Sequence, residues 1–101
     1  MTGSIAGAIL FGMKPHLHKT LNLSQGDVVA VYLDEMAFVF FSNDENYHYY
    51  LNDQTYDYYG TIVEKSPFYI APPTPGVWNL VIEQKNPEKP LEVRVEIVQE
   101  G

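Results

Sequence analysis

The chain has 101 residues, a formal net charge of −7 and no cysteine. That length fits one domain that buries about two-thirds of its extended surface, with little room for a deep active-site cleft. The missing thiols exclude disulfides, thiolate metal sites and cysteine nucleophiles and favour a cytoplasmic location, while the acidic balance opposes contact with phosphate backbones, so nucleic acid is not an expected partner.

The chain opens on an apolar run from Ile5 to Phe11. It has no positive flank and is too short to span a bilayer, so neither a signal peptide nor a membrane contact is expected. Residues 1–13 read as an edge strand or an arm, ahead of a domain over residues 14–101. Ile5, Ile9, Leu10 and Phe11 are apolar enough to invite pairing with another copy, which predicts a homo-oligomer.

His16 to Leu23 places Leu17, Leu21 and Leu23 on one face of a strand. Ser24-Gln25-Gly26-Asp27 reads as a turn with Gly26 at positive φ. Val28 to Leu33 is β-branched and extended. After Asp34-Glu35, Ala37 to Phe41 is nearly all apolar, as suits a strand buried on both faces. Ser42 to Gln54 is polar and asparagine-rich and reads as a loop or irregular edge segments. Tyr56 to Val63 can extend, with Gly60 marking a bulge or a close backbone approach. Phe68 to Ala71 is a short strand. Pro72-Pro73-Thr74-Pro75-Gly76 forms a rigid corner, because its three prolines lack an N–H. Val77 to Gln84 puts Trp78, Leu80 and Ile82 on one face. After the turn Asn86 to Pro90, Leu91, Val93, Val95 and Ile97 alternate with Glu92, Arg94 and Glu96.

About seven short strands at regular spacing, with no run of helical period, predict an all-β fold. A small antiparallel β-sandwich, jelly-roll or immunoglobulin-like, is the natural arrangement, and a small barrel is the alternative. Trp78, Leu80, Ile82, Val93, Val95 and Ile97 are the expected core of the last two strands.

The segment Leu23-Ser24-Gln25-Gly26-Asp27-Val28-Val29, the triplet Tyr58-Tyr59-Gly60 and the run Pro75-Gly76-Val77-Trp78-Asn79 occur in the order of a known family. From about Leu21 to Val98 the chain resembles the bacterial family catalogued as domain of unknown function 1883. The resemblance implies a small β-sandwich with no assigned catalytic residues. It also implies a stand-alone protein or a module attached to signalling domains of the Toll/interleukin-receptor type. The acidic middle and the apolar N-terminal arm depart from the family pattern.

Between Thr20 and Glu64 there is no Lys or Arg, while Asp27, Asp34, Glu35, Asp44, Glu45, Asp53, Asp57 and Glu64 all fall there. Within the same stretch lie Tyr47, Tyr49, Tyr50, Tyr56, Tyr58 and Tyr59. Tyrosine supplies rigid contact area and a hydroxyl at low entropic cost, as binding surfaces require. The same pattern also fits alternate tyrosines packed in a core. The candidate binding surface is Tyr47, Tyr49, Tyr50, Tyr56 and Tyr58 with Asp44, Glu45, Asp53 and Asp57.

Signals for chemistry are weak. His16 and His18 share a strand face but lack a third ligand, so they read as solvated side chains and no metal is expected. Asn43-Asp44-Glu45-Asn46 lacks the ligand spacing and glycine of a calcium loop and reads as solvated. Ser42, His48 and Asp53 supply a nucleophile, a base and an acid by type only, without a nucleophile elbow. No phosphate-cradling glycine loop occurs, and no cofactor is expected. The expected function is a non-enzymatic interaction module that meets a protein partner with a basic patch. The alternatives are a carbohydrate-type ligand stacked on tyrosine rings, or an acidic inhibitor that mimics nucleic-acid phosphates.

Overall fold

The computed structural model of the chain describes residues 2–6, 16–85 and 91–99, with side chains over 16–85 and 91–98. Eight strands and one helix follow in chain order. They are β1 (Thr2–Ala6), β2 (His16–Leu23), β3 (Asp27–Leu33), β4 (Ala37–Ser42), α1 (Asp44–Leu51), β5 (Tyr59–Val63), β6 (Phe68–Ile70), β7 (Gly76–Gln84) and β8 (Glu92–Gln99). Two four-stranded sheets run in the orders β1-β8-β3-β6 and β2-β7-β4-β5, with every pair antiparallel. Successive strands cross from one sheet to the other, except β4 and β5, which are neighbours. This order is the jelly roll, one of the two sandwich topologies the sequence admits.

The strands follow the side-chain period of two. Leu17, Leu21, Leu23, Val39, Phe41, Leu80 and Ile82 from one sheet meet Val29, Val31, Val93 and Val95 from the other in a single core. Leu80, Ile82, Val93 and Val95 are buried as the sequence predicts, and they meet across the sandwich, because β7 and β8 belong to opposite sheets. Trp78 and Ile97 are only partly buried. Trp78 sits at the end of the sandwich, where its Nε1–H donates to the Thr74 carbonyl in the proline corner at 2.8 Å.

Two glycines are fixed by geometry. Gly26 adopts φ 85°, closing a turn in which the Asp27 N–H donates to the Ser24 carbonyl and the Ser24 N–H to the Asp27 carboxylate. Gly60 lies against Phe40 in the β4–β5 register, and a Cβ there would overlap the Val39 carbonyl oxygen and sit 2.5 Å from the Phe40 Cα. The close approach expected at Gly60 is therefore a contact with the β4 backbone.

Thr2–Ala6 lies as an edge strand on β8, beside the roughly seven strands expected of the sandwich. Ile9, Leu10 and Phe11 lie outside the described residues. One expectation needs correction, since Asp44–Leu51 is a helix and not part of an irregular loop. Its intrinsic propensity is low, with three tyrosines, an asparagine and a histidine in eight residues. A helix of that length is marginal in isolation, so tertiary packing decides its existence.

Val95 is fully enclosed between the sheets. Val95→Ala is expected to cost about 1–3 kcal/mol, as lost transfer energy plus a residual cavity. Denaturant unfolding measures this, and a loss within error of zero contradicts the placement.

Candidate interaction surface

Both ends of α1 are capped by local chemistry. The Asn43 side chain accepts from the Asn46 backbone N–H at 2.8 Å, while Asp44 and Glu45 occupy the first turn and favour the positive end of the helix dipole. At the other end Asp53 takes φ 56°, its N–H donates to the Tyr50 carbonyl, and the Gln54 N–H donates to the Tyr49 carbonyl at 2.9 Å. This is a Schellman stop with aspartate in the left-handed position usually held by glycine. Asn43-Asp44-Glu45-Asn46, superficially like a calcium loop, is thus the start of a helix.

The inward side of α1 is Tyr47, Tyr50 and Leu51, which share one helical face by their spacing. They pack with Tyr56 onto Phe38, Phe40 and Val81, on the outer side of the β2-β7-β4-β5 sheet, and form a second small core. Tyr50 is its centre, at 0% exposure. Its ring meets those of Phe40 and Tyr56 edge-on at 5.3 and 5.2 Å.

Polar groups tie this lid to the sheet. The Tyr50 hydroxyl donates to Glu83 Oε1 at 2.7 Å, and Lys85 Nζ approaches Glu83 Oε2 at 3.4 Å. His16 Nε2 pairs with the Tyr47 hydroxyl at 3.0 Å, and the His18 ring stacks on Tyr47 at 4.1 Å. His18 Nε2 donates to Asn79 Oδ1 at 2.7 Å, and Asn79 Nδ2 donates to Asp44 Oδ1 at 2.8 Å. Sequence reading places His16 in solvent, but the structure buries it because the Tyr47 and Tyr50 rings of α1, which packs on β4 and β7, reach across to β2. Burial pushes the Tyr50 phenol well above its ordinary range, and its bond to the Glu83 carboxylate adds to the effect. Burial raises the Tyr47 and Tyr56 phenols as well.

The tyrosine cluster therefore divides. Tyr50 is enclosed, Tyr47 and Tyr56 are half-buried anchors, and Tyr49 is half-buried on the helix. Tyr58 and Tyr59 remain 48% and 49% exposed. They diverge: Tyr58 packs edge-on against Phe38 on the outer side of the sheet, and Tyr59 edge-on against Trp78. Asp44, Glu45, Asp53 and Asp57 are all exposed around the lid. Beside them Phe38, Tyr58, Gly60, Thr61, Ile62 and Lys85 line an open groove of about 390 Å³. Ile62 and Lys85 carried no functional signal in the sequence, since their place beside Tyr58 depends on which strands are neighbours.

The remaining candidates scatter or are used otherwise. Ser42 is buried beneath the helix start, whereas His48 and Asp53 are exposed at the far part of α1 and beyond it. Among the described residues, no group of three or more His, Cys, Asp or Glu side chains is placed to hold a metal ion. Among the same residues, no helix is long and apolar enough to cross a membrane.

A jelly-roll sandwich with a helical lid over one sheet defines a small all-β domain. Residues 13–100 match the family described as Domain of unknown function (DUF1883), and the chain belongs to that family. Neither a curated protein nor a solved structure matches the chain.

The buried phenol sets a pH dependence. In the unfolded chain Tyr50 loses its proton near pH 10, whereas the folded chain holds it to higher pH. The stabilisation is complete below about pH 10 and declines as pH rises above it. Tyr50→Phe is expected to lose about 0.5–1.5 kcal/mol near neutrality with the hydroxyl's hydrogen bond. Above pH 10 its stability should fall less steeply than that of the parent, by up to about 1.4 kcal/mol per pH unit. Parallel alkaline limbs in denaturant unfolding would contradict the assignment.

Proposed function

We propose that the chain is a non-enzymatic binding module whose acidic, tyrosine-bearing lid contacts a protein partner with a basic patch. The observation that carries the reading is the division of labour within the lid. Tyr47, Tyr50 and Tyr56 hold it on the sheet, and Asp44, Glu45, Asp53 and Asp57 stand exposed around it. Like charges gathered on one small surface repel one another, and a cationic partner relieves that repulsion while gaining on-rate from it. Tyr49 and Tyr58 are the ring surfaces left for anchoring.

A carbohydrate asks for a platform of exposed coplanar rings, but the exposed Tyr58 and Tyr59 diverge. The near-parallel pair Tyr47 and Tyr50 belongs to the lid's packing. The geometry therefore favours a protein surface over a sugar. A cytoplasmic, bacterial setting is part of the same proposal. It rests on the cysteine-free composition and the family resemblance, as does work alone or beside a Toll/interleukin-receptor-type domain.

Affinity capture from the native cell, followed by binding kinetics on the captured partner, tests the reading. Glu45→Lys with Asp57→Lys is expected to slow association more than it speeds dissociation, and added salt should slow the parent in the same way, because the Debye length shrinks to about 8 Å near physiological ionic strength. Tyr49→Ala with Tyr58→Ala should act mainly on dissociation. Each variant is first matched to the parent in unfolding midpoint. Folded variants that bind like the parent at low and high salt overturn the proposal, and a captured nucleic-acid-binding enzyme that is inhibited identifies the phosphate-mimic alternative.

A further inference from the structure

β5 ends the β2-β7-β4-β5 sheet, with β4 on one side and no described strand on the other. Alternate N–H and C=O groups along its free side are open to pairing. Sheet edges are normally blunted by lysine, proline, a bulge or brevity. β6 is three residues long and follows Pro67, and β2 carries Lys19 directly after His18. Tyr59–Val63 has no lysine or proline, and Tyr59, Gly60, Thr61 and Ile62 are exposed, Ile62 at 52%.

The sequence about this edge complements itself. Asp57-Tyr58-Tyr59-Gly60-Thr61-Ile62-Val63-Glu64-Lys65, laid antiparallel on a second copy about Thr61, sets Tyr59 opposite Val63 and Ile62 opposite Gly60. Thr61 meets its own copy. Asp57 and Lys65, exposed and lying just beyond opposite ends of the strand, then come together as acid and base at both ends. Aromatic with β-branched, threonine with threonine and opposite charges are all favourable cross-strand pairs. The exposed Ile62 would cover backbone left bare at Gly60, where the close β4 backbone admits no side chain. Moving the pairing by one residue on each strand separates Asp57 from Lys65.

We infer that β5 is a homodimer edge, where two copies join antiparallel about Thr61 into one continuous eight-stranded sheet. The occupant is a second copy because the strand's charges and side-chain sizes match those of its own reversed sequence. The inference goes beyond the partner-binding lid and does not rest on it, nor on the N-terminal arm.

The absence of cysteine from the parent gives a direct test. Directly opposed residues of an antiparallel pair have Cα atoms about 4.5–5.5 Å apart, within disulfide reach. Thr61→Cys is expected to give a covalent dimer on mild oxidation, whereas Ser24→Cys, exposed in the β2–β3 turn, is not. In sedimentation equilibrium the parent should dimerise. Ile62→Lys should abolish dimerisation. Asp57→Lys should weaken it roughly three- to tenfold through like charges at both ends, and the combination Asp57→Lys with Lys65→Asp should restore it. A parent that stays monomeric to millimolar concentration overturns the inference. So does a dimer indifferent to all these changes. Neither result touches partner capture, which is measured separately.

Discussion

β4 is apolar on both sides, so the chain must cover two faces of a single strand. Ala37, Val39 and Phe41 enter the core between the sheets, while Phe38 and Phe40 emerge on the outer side with Val81 of β7 beside them. Sandwich packing satisfies the first set. Left bare, the second would put two phenylalanines and a valine into water at the centre of a sheet. The segment after β4 returns over the same strand as α1 and the stretch to Tyr58, and its tyrosines fill the outer face. The helix, the burial of His16 and the position of the acidic turn all follow from that return.

Tyrosine is suited to such a thin cover because its ring is apolar and its hydroxyl can reach a polar partner at the margin. Tyr50 shows both parts, with the ring enclosed on Phe40 and the hydroxyl on Glu83. A phenylalanine there would leave the inward carboxylate oxygen of Glu83 without that donor, and a shorter residue would open a void over Phe40. The histidines of β2 and Asn79 of β7 secure the other margin, so the lid is fastened along both sides of its ring cluster. Carboxylates are thereby left outermost, since the inward positions of α1 and its continuation go to rings.

The jelly-roll order also decides which strands are edges. β5 is the strand directly joined to its sheet neighbour through the lid segment, and it ends the sheet because, among the described residues, no later strand crosses back to pair with it. Its small residues have a local cause in Gly60, which the approach of the β4 backbone requires.

Much of this was legible from the residues. Alternation over Leu91 to Ile97 fixed which side chains of β8 share a face, Gly26 and the proline corner marked turns, and the unbroken run from Ala37 to Phe41 announced a strand buried twice. Those signals are local, because strand geometry has a period of two and turn conformations restrict residue type directly. Asn43 and the acidic first turn are cap residues, but Tyr, Asn and His are poor helix formers, so the polar composition of this segment points to a loop until its packing is known. Only the tertiary structure decided which strands became neighbours, that Tyr50 is enclosed while Tyr58 is open, and that His16 is covered. The alternation in a strand names a face but not what covers it. Tyr50 and Glu83, 33 residues apart, meet through strand order and a helix that packing stabilises.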